Sequence, residues 1–283
     1  MIRLSRFVAL ISALALLLAV TIAVPGASAG TTSSPSIPVV FVHGFHHDNC
    51  AKAAFNVTSA MSGPMIDLSQ TGWSGRLDPV SYYACDQGGS RIGSDTVNTP
   101  IETIAAQLAN YIYRTYSAPG HTVDIVAHSM GGLIARAAVE YTESHAPGFP
   151  PFLLVKRVVA FSTPYNGLSP AVIYSVPGLA GTYQASQMFS GSSFLQSLQR
   201  GGAADGTGGT DWLTVGSSGG CDFVSGSSAT SLPDALRVSY SGCWSHWQYL
   251  FCYATTRSYP AYINSYATTT YGSLDLMRIF LSL

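Results

Sequence analysis

The sequence predicts an α/β fold, a mostly parallel central sheet covered by helices on both faces. Three observations carry that expectation. Short continuous apolar runs recur along the chain, as strands buried on both faces require. Segments with helical spacing alternate with them. The 283 residues, 47% of them apolar, suffice for one large core, and no internal repeat divides them.

The first 29 residues stand apart from that pattern. Arg3 and Arg6 precede an almost uncharged run from Phe7 to Val24, closed by Pro25-Gly26 and by Ala27-Ser28-Ala29 ahead of Gly30. This reads as a secretory signal with an A-x-A cleavage site, so the mature chain is expected to be extracellular. A retained membrane anchor is the rival reading, which the helix-breaking Pro25-Gly26 disfavours. Residues 30–36 read as a flexible arm, and 37–283 as a single domain.

Within that domain Ile37 to Val42 is the first buried strand, ended by His43-Gly44-Phe45. A helix is expected over about 51–61 and a strand from Arg76 to Cys85. Thr99-Pro100-Ile101-Glu102 combines a capping box with proline at the first helical position. Ile101, Ile104, Ala105, Leu108 and Ile112 then recur at helical spacing. Ala118-Pro119-Gly120 turns the chain into a strand from Val123 to Ala127, and an alanine-rich helix follows from Gly131 to about Thr142. Val155 to Phe161, Leu213 to Gly216 and Ala235 to Tyr240 are the later strands. Residues 164–210 break the rhythm. They are rich in Gly, Ser and Pro, yet carry Ile173, Tyr174, Leu179, Tyr183, Met188 and Phe189. Long loops in compact domains are usually functional or disordered. Here the apolar content predicts short helices lining a pocket, or else satellite packing over the sheet.

Charge narrows the partners. Thirteen basic residues less Arg3 and Arg6 leave eleven against fourteen acids, a formal charge of minus three after signal removal. Neither nucleic acid nor an anionic membrane surface is expected as a partner. Lysine is almost absent, with only Lys52 and Lys156, so hydroxyls hold the surface soluble, a pattern compatible with transient contact with apolar material. Exported cysteines can oxidise. Cys50 and Cys85 are expected to pair, which on chain-entropy grounds is worth about 4 kcal/mol. Cys221, Cys243 and Cys252 leave one thiol over, and either bond to Cys243 would brace the loop carrying His246.

The strongest chemical signal is Ala127-His128-Ser129-Met130-Gly131-Gly132, set between a strand and a helix. It resembles the nucleophile elbow G-x-S-x-G with alanine in place of the first glycine. A serine on such a strained turn needs small neighbours, so that strand and helix can approach closely. A serine helix cap without catalytic role is the plain alternative. Val39-Val40-Phe41-Val42-His43-Gly44-Phe45 is the second signal, a strand running into a turn able to offer a main-chain donor.

Together these segments resemble the small secreted bacterial lipases of the α/β-hydrolase superfamily. The resemblance covers most of residues 37–255: VVFVHGF, VDIVAHSMGGLIAR, VVAFSTPYNG, and SSGGCDFV followed by SHWQYL. It implies the α/β-hydrolase fold, Ser129 as nucleophile, and the Phe45 and Met130 amides as oxyanion donors. The family order of nucleophile, acid and histidine then puts the acid at Asp222 and the base at His246, with Asp234 the runner-up acid and Asp211 less well placed.

The implied activity is hydrolysis of carboxylic esters, from small esters to triacylglycerols, by a monomer with no cofactor. Acyl transfer or polyester depolymerisation on the same triad is the alternative, and a noncatalytic binding protein of the same fold a further one. Among the other histidines, His43 reads as structural beneath the oxyanion loop, and His128 as the variable elbow position. His121 and His145 read as solvent-facing. His46 and His47 could line the site mouth or bind metal as a pair, but no nearby cluster in the sequence completes a zinc ligand set, so no metal is expected. Asn56-Val57-Thr58 matches a glycosylation sequon.

Overall fold

Val39–Val42, strand β1, is buried along its whole length, which only a strand with neighbours on both sides and cover on both faces can satisfy. The computed structural model describes residues 36–46, 55–199, 204–251, 261–263, 267–269 and 271–283. The expected signal peptide, the arm up to residue 35, and Cys50 lie outside the described residues.

In chain order, β1 is followed by β2 (Phe55–Asn56), α1 (Val57–Ala60), α2 (Ser62–Gln70), β3 (Leu77–Tyr83), β4 (Asp86–Gln87) and β5 (Ser90–Asp95). Then come α3 (Ile101–Ile112), β6 (Val123–His128), α4 (Met130–Glu143) and β7 (Val155–Phe161). Three short helices, α5 (Pro170–Ser175), α6 (Tyr183–Met188) and α7 (Ser193–Gln199), precede β8 (Asp211–Ser217). The chain continues with α8 (Gly226–Ala229), β9 (Leu236–Tyr240), β10 (Ala261–Ile263), β11 (Ala267–Thr269) and α9 (Ser273–Ser282).

The main sheet has the order β5-β3-β1-β6-β7-β8-β9-β10-β11. The seven strands from β5 to β9 pair in parallel, and β10 and β11 add an antiparallel edge. Alternation along each parallel strand divides the core in two. Val40, Val42, Ile125, Ala127, Val158 and Ala160 pack on one face with Ile104, Leu108, Leu133 and Ile134 of α3 and α4. Val39, Phe41, Val126, Val159 and Phe161 face Met61, Leu68, Met277 and Phe280 on the other, from the α1–α2 turn, α2 and α9. Among the described residues no helix is long and apolar enough to cross a membrane.

Two local expectations are corrected. The helix expected over 51–61 is described only from residue 55, where Phe55–Asn56 forms a short strand against Asp86–Gln87 and helix begins at Val57. Asn56 caps it by accepting from the Ser59 N–H. The capping box at Thr99 does not form: Pro100 is the N-cap of α3, and the Thr99 hydroxyl accepts from the Thr96 N–H instead. The cap comes from the 164–210 segment, because Gln187 Oε1 accepts from the Ile101 N–H at 2.7 Å and its amide donates to Glu102. A distant side chain has displaced a local one.

Asp124, at the start of β6, is fully buried beside Arg157, 3.7 Å away. Burial pushes its carboxyl up to about 7 despite that guanidinium. The folded chain therefore holds a proton that the unfolded chain releases above its ordinary value near 3.8. This contribution to stability is full at low pH and is lost as pH rises to the folded value. Between pH 5 and 8, wild type should lose up to about 3 kcal/mol relative to Asp124→Asn, measured by urea unfolding. A constant difference between the two proteins would show that Asp124 is ionised throughout.

Candidate active site

Ser129 joins β6 to α4 with φ 56° and ψ −130°, a backbone conformation that costs a non-glycine residue about 1–3 kcal/mol. The surroundings impose it. The Ser129 N–H donates to the Phe161 carbonyl at the end of β7. Gly131 lies so close to β1 that a Cβ there would sit 2.3 Å from the Val42 carbonyl oxygen. Gly44 approaches from the other side, where a Cβ would fall 2.6 Å from Ser129 Cβ. The first elbow position is held by Ala127, which is fully buried.

Of the two expected main-chain donors, Met130 follows this serine directly and Phe45 follows Gly44, which lies against it. Met130 is the first residue of α4, so its N–H has no acceptor within the helix. Phe45 follows Gly44 and packs, half-buried, on the core.

Asp222 and His246 lie in the loops after β8 and β9, and the fold brings them into contact. His246 Nδ1–H donates to Asp222 Oδ1 at 2.9 Å. The Val224 N–H donates to the same oxygen at 2.9 Å. Burial pushes the Asp222 carboxyl up, but the bonds from His246, Ser162 and Val224 outweigh it and hold the pKa below the ordinary value. An ionised carboxylate can only accept, so it fixes the proton of His246 on Nδ1 and leaves Nε2 as the basic nitrogen. The imidazole is 6% exposed, packed on Phe223 at 3.9 Å and on His128 at 4.6 Å between ring centroids. His128, the residue before Ser129, anchors the loop further: its Nε2–H donates to the His246 carbonyl at 2.8 Å. Burial pushes His128 down to about 3, which keeps it neutral. Among the described residues, Ser129 and His246 share no direct hydrogen bond; they meet through His128.

Ser162, which the sequence did not single out, completes the pair. It follows β7, is fully buried, and has φ 49°. Its hydroxyl donates to Asp222 Oδ2 and lies 3.0 Å from His246 Nδ1. Asp234, the runner-up acid, is exposed and sits in the turn before β9.

A disulfide joins Cys221 to Cys243, tying the loop of Asp222 to that of His246. Of the two pairings open to Cys243, this one closes a loop with a sequence separation of 22, worth about 3 kcal/mol on chain-entropy grounds. Cys85 is also disulfide-bonded; Cys50, its expected partner, lies outside the described residues.

The expectation for the other histidines changes in one respect. His121 and His145 are exposed, and His43 is buried, as read from the sequence. But Asp86 joins His43 and His46 in a three-residue cluster with metal-ligand spacing, where the sequence had shown none. His47 lies outside the described residues.

The segment after Ser162 forms three short helices, as expected. A cavity of about 530 Å³ lies between α5 and α6, lined by Ile173, Tyr174, Ala185 and Phe189. Tyr174 is 81% exposed and Phe189 41%.

Residues 34–171 match the family described as the PGAP1-like alpha/beta domain. No curated protein matches the chain. Among solved structures, Aspergillus fumigatus lipase B is similar, with a TM-score of 0.52 and 16% identity over 76% of this chain. The match covers 49% of that protein, so the chain spans about half its length. The mature form of Bacillus licheniformis lipase BlEst2 gives 0.46 and 17%, over 76% of this chain and 88% of its own. Esterase PE8 gives 0.46 and 14%, over 88% and 93%.

Proposed function

The chain has the α/β-hydrolase fold, and from that premise we propose that it is a secreted serine hydrolase cleaving carboxylic esters through an acyl-enzyme on Ser129. The observation that carries this reading is a buried carboxylate–imidazole pair beside a serine on a positive-φ elbow.

In the proposed cycle, His246 Nε2 takes the Ser129 proton as the hydroxyl attacks the ester carbonyl. That hydrogen bond closes on substrate binding, as catalytic contacts often do. The Phe45 and Met130 amides receive the oxyanion, each worth about 3 kcal/mol in the transition state. Imidazolium His246, stabilised by Asp222, protonates the departing alcohol; water activated by the same nitrogen then releases the acid. The Arg3 to Ala29 pattern and the Cys221–Cys243 bond support export.

A fluorophosphonate probe tests the central claim: mass spectrometry should find one adduct per chain, on Ser129. Labelling elsewhere, or none, rejects it. Hydrolysis of p-nitrophenyl esters of increasing chain length, below and above their solubility limits, then sorts lipase from esterase.

Ser162 is expected to act as a positioning residue. Ser162→Ala removes a hydrogen bond to a charged group, worth about 1.5–3 kcal/mol, so kcat should fall on the order of 10- to 100-fold at little change in KM. Losing a donor to ionised Asp222 should also raise the acid limb of the pH profile, whereas a merely structural serine would leave the limb in place.

A further inference from the structure

We propose that His43, His46 and Asp86 form a binding site for one divalent transition-metal ion of the Zn²⁺ class. The ligands are His43 Nε2, His46 Nε2 and one Asp86 carboxylate oxygen, and the fourth position is left to water. The inference is independent of the hydrolase reading.

Proton counting carries the first step. His43 Nδ1 lies 2.8 Å from the Gly44 carbonyl oxygen, and Nε2 lies 3.1 Å from Asp86 Oδ2. Both partners are acceptors, and a neutral imidazole has one ring hydrogen. Whichever acceptor takes that hydrogen, the other is left facing a bare ring lone pair. His46 brings its own Nε2 to within 2.6 Å of Asp86 Oδ1. A cation beside His43 Nε2 leaves the ring hydrogen to Gly44 and turns the Nε2 and carboxylate lone pairs into ligands.

Geometry carries the second. The three ligand atoms lie within 4.8 Å of one another. Ligand atoms on a tetrahedral zinc ion, with bonds of about 2.0–2.1 Å, stand roughly 3.3 Å apart. The two imidazoles meet different oxygens of Asp86, His43 Nε2 lying 3.1 Å from Oδ2 and His46 Nε2 2.6 Å from Oδ1, so a small turn of the carboxylate or of one ring brings a single oxygen to both.

The supporting shell is the third. A metal-ligating histidine commonly donates its other N–H to a backbone carbonyl, which fixes tautomer and ring plane, and His43 does so to Gly44. Asp86 Oδ2 accepts from the Tyr82 and Tyr83 N–H groups, both at 2.8 Å, which orients the carboxylate. His43 stacks on Tyr82 and His46 on Phe55, each with ring centroids 4.0 Å apart. The His46 side chain is 13% exposed, giving an ion a way in. Two imidazoles and a carboxylate suit Zn²⁺ over Ca²⁺ or Mg²⁺. An ion here would tie residues 43–46, Phe45 among them, to β4.

The full chain, stripped with a chelator and dialysed, should bind one Zn²⁺ per molecule by calorimetry, and Co²⁺ should give the intense visible bands of a tetrahedral site. His46→Gln should lower the affinity at least ~100-fold, since replacing an outer-shell partner alone costs 10- to 100-fold. Anomalous scattering at the zinc edge from wild-type crystals gives a reading that needs no variant, with a peak among the three side chains. No binding, undiminished binding by a folded His46→Gln protein, or a peak elsewhere overturns the site.

Discussion

Ser129→Ala is expected to lower ester turnover on the order of 10⁴- to 10⁶-fold and to abolish fluorophosphonate labelling, while the protein keeps its fold. The size follows from losing the covalent route altogether. What remains is whatever binding and the proposed Phe45 and Met130 donors give to direct attack by water, a residue of catalysis that in serine hydrolases is about 10³–10⁴ over water. Stability should move the other way or hardly at all. Alanine at φ 56° bears the same backbone strain as serine, and the Gly131 and Gly44 approaches that enforce it are untouched. The measurement is steady-state hydrolysis of a chromogenic ester beside a thermal melt of both proteins. Wild-type turnover by a folded Ser129→Ala protein would remove Ser129 from the chemistry.

The parts of this molecule that were legible in the sequence are those whose physics is local. Val155–Phe161 was legible because its inner part, Val158 to Phe161, is the unbroken apolar run of a parallel strand buried on both faces. The elbow was legible because strand, serine and paired glycines are contiguous. Asp222 and His246 came from chain order, and the fold joins them across 24 residues of sequence. What could not be read depends on partners far along the chain. Ser162 looks like any serine after a strand until residues 60 and 84 positions away close on its hydroxyl. Asp86 meets His43 from 43 residues away, in a two-residue strand that no periodicity reveals. Ser90–Asp95 carries almost no apolar signal because it is the sheet's edge, where one side has no strand to pair with. The cap of α3 failed for the same reason, since Gln187 reaches Ile101 across 86 residues.

Asp222→Asn is expected to cost about 10⁴-fold in kcat at neutral pH. An amide in that place offers an N–H toward His246 or toward Ser162, where the carboxylate only accepts. If its nitrogen faces Nδ1, the ring hydrogen is driven to Nε2, and the lone pair that should take the Ser129 proton is gone. If its oxygen faces Nδ1, the tautomer survives, but no negative charge offsets the imidazolium formed in the transition state, and the amide meets the Ser162 hydroxyl with a donor. The surrounding structure sharpens the distinction. The Cys221–Cys243 bond and the His128–His246 contact hold both loops, so the loss should appear in kcat with KM and the melting temperature nearly unchanged. Asp234→Asn is the matched control: Asp234 is exposed in the turn before β9, and its replacement should leave turnover within a factor of about two. A silent Asp222→Asn beside an inactive Asp234→Asn would transfer the acid role. Raised pH should restore part of the Asp222→Asn rate, because hydroxide can take the Ser129 proton that the wrongly oriented neutral ring no longer accepts.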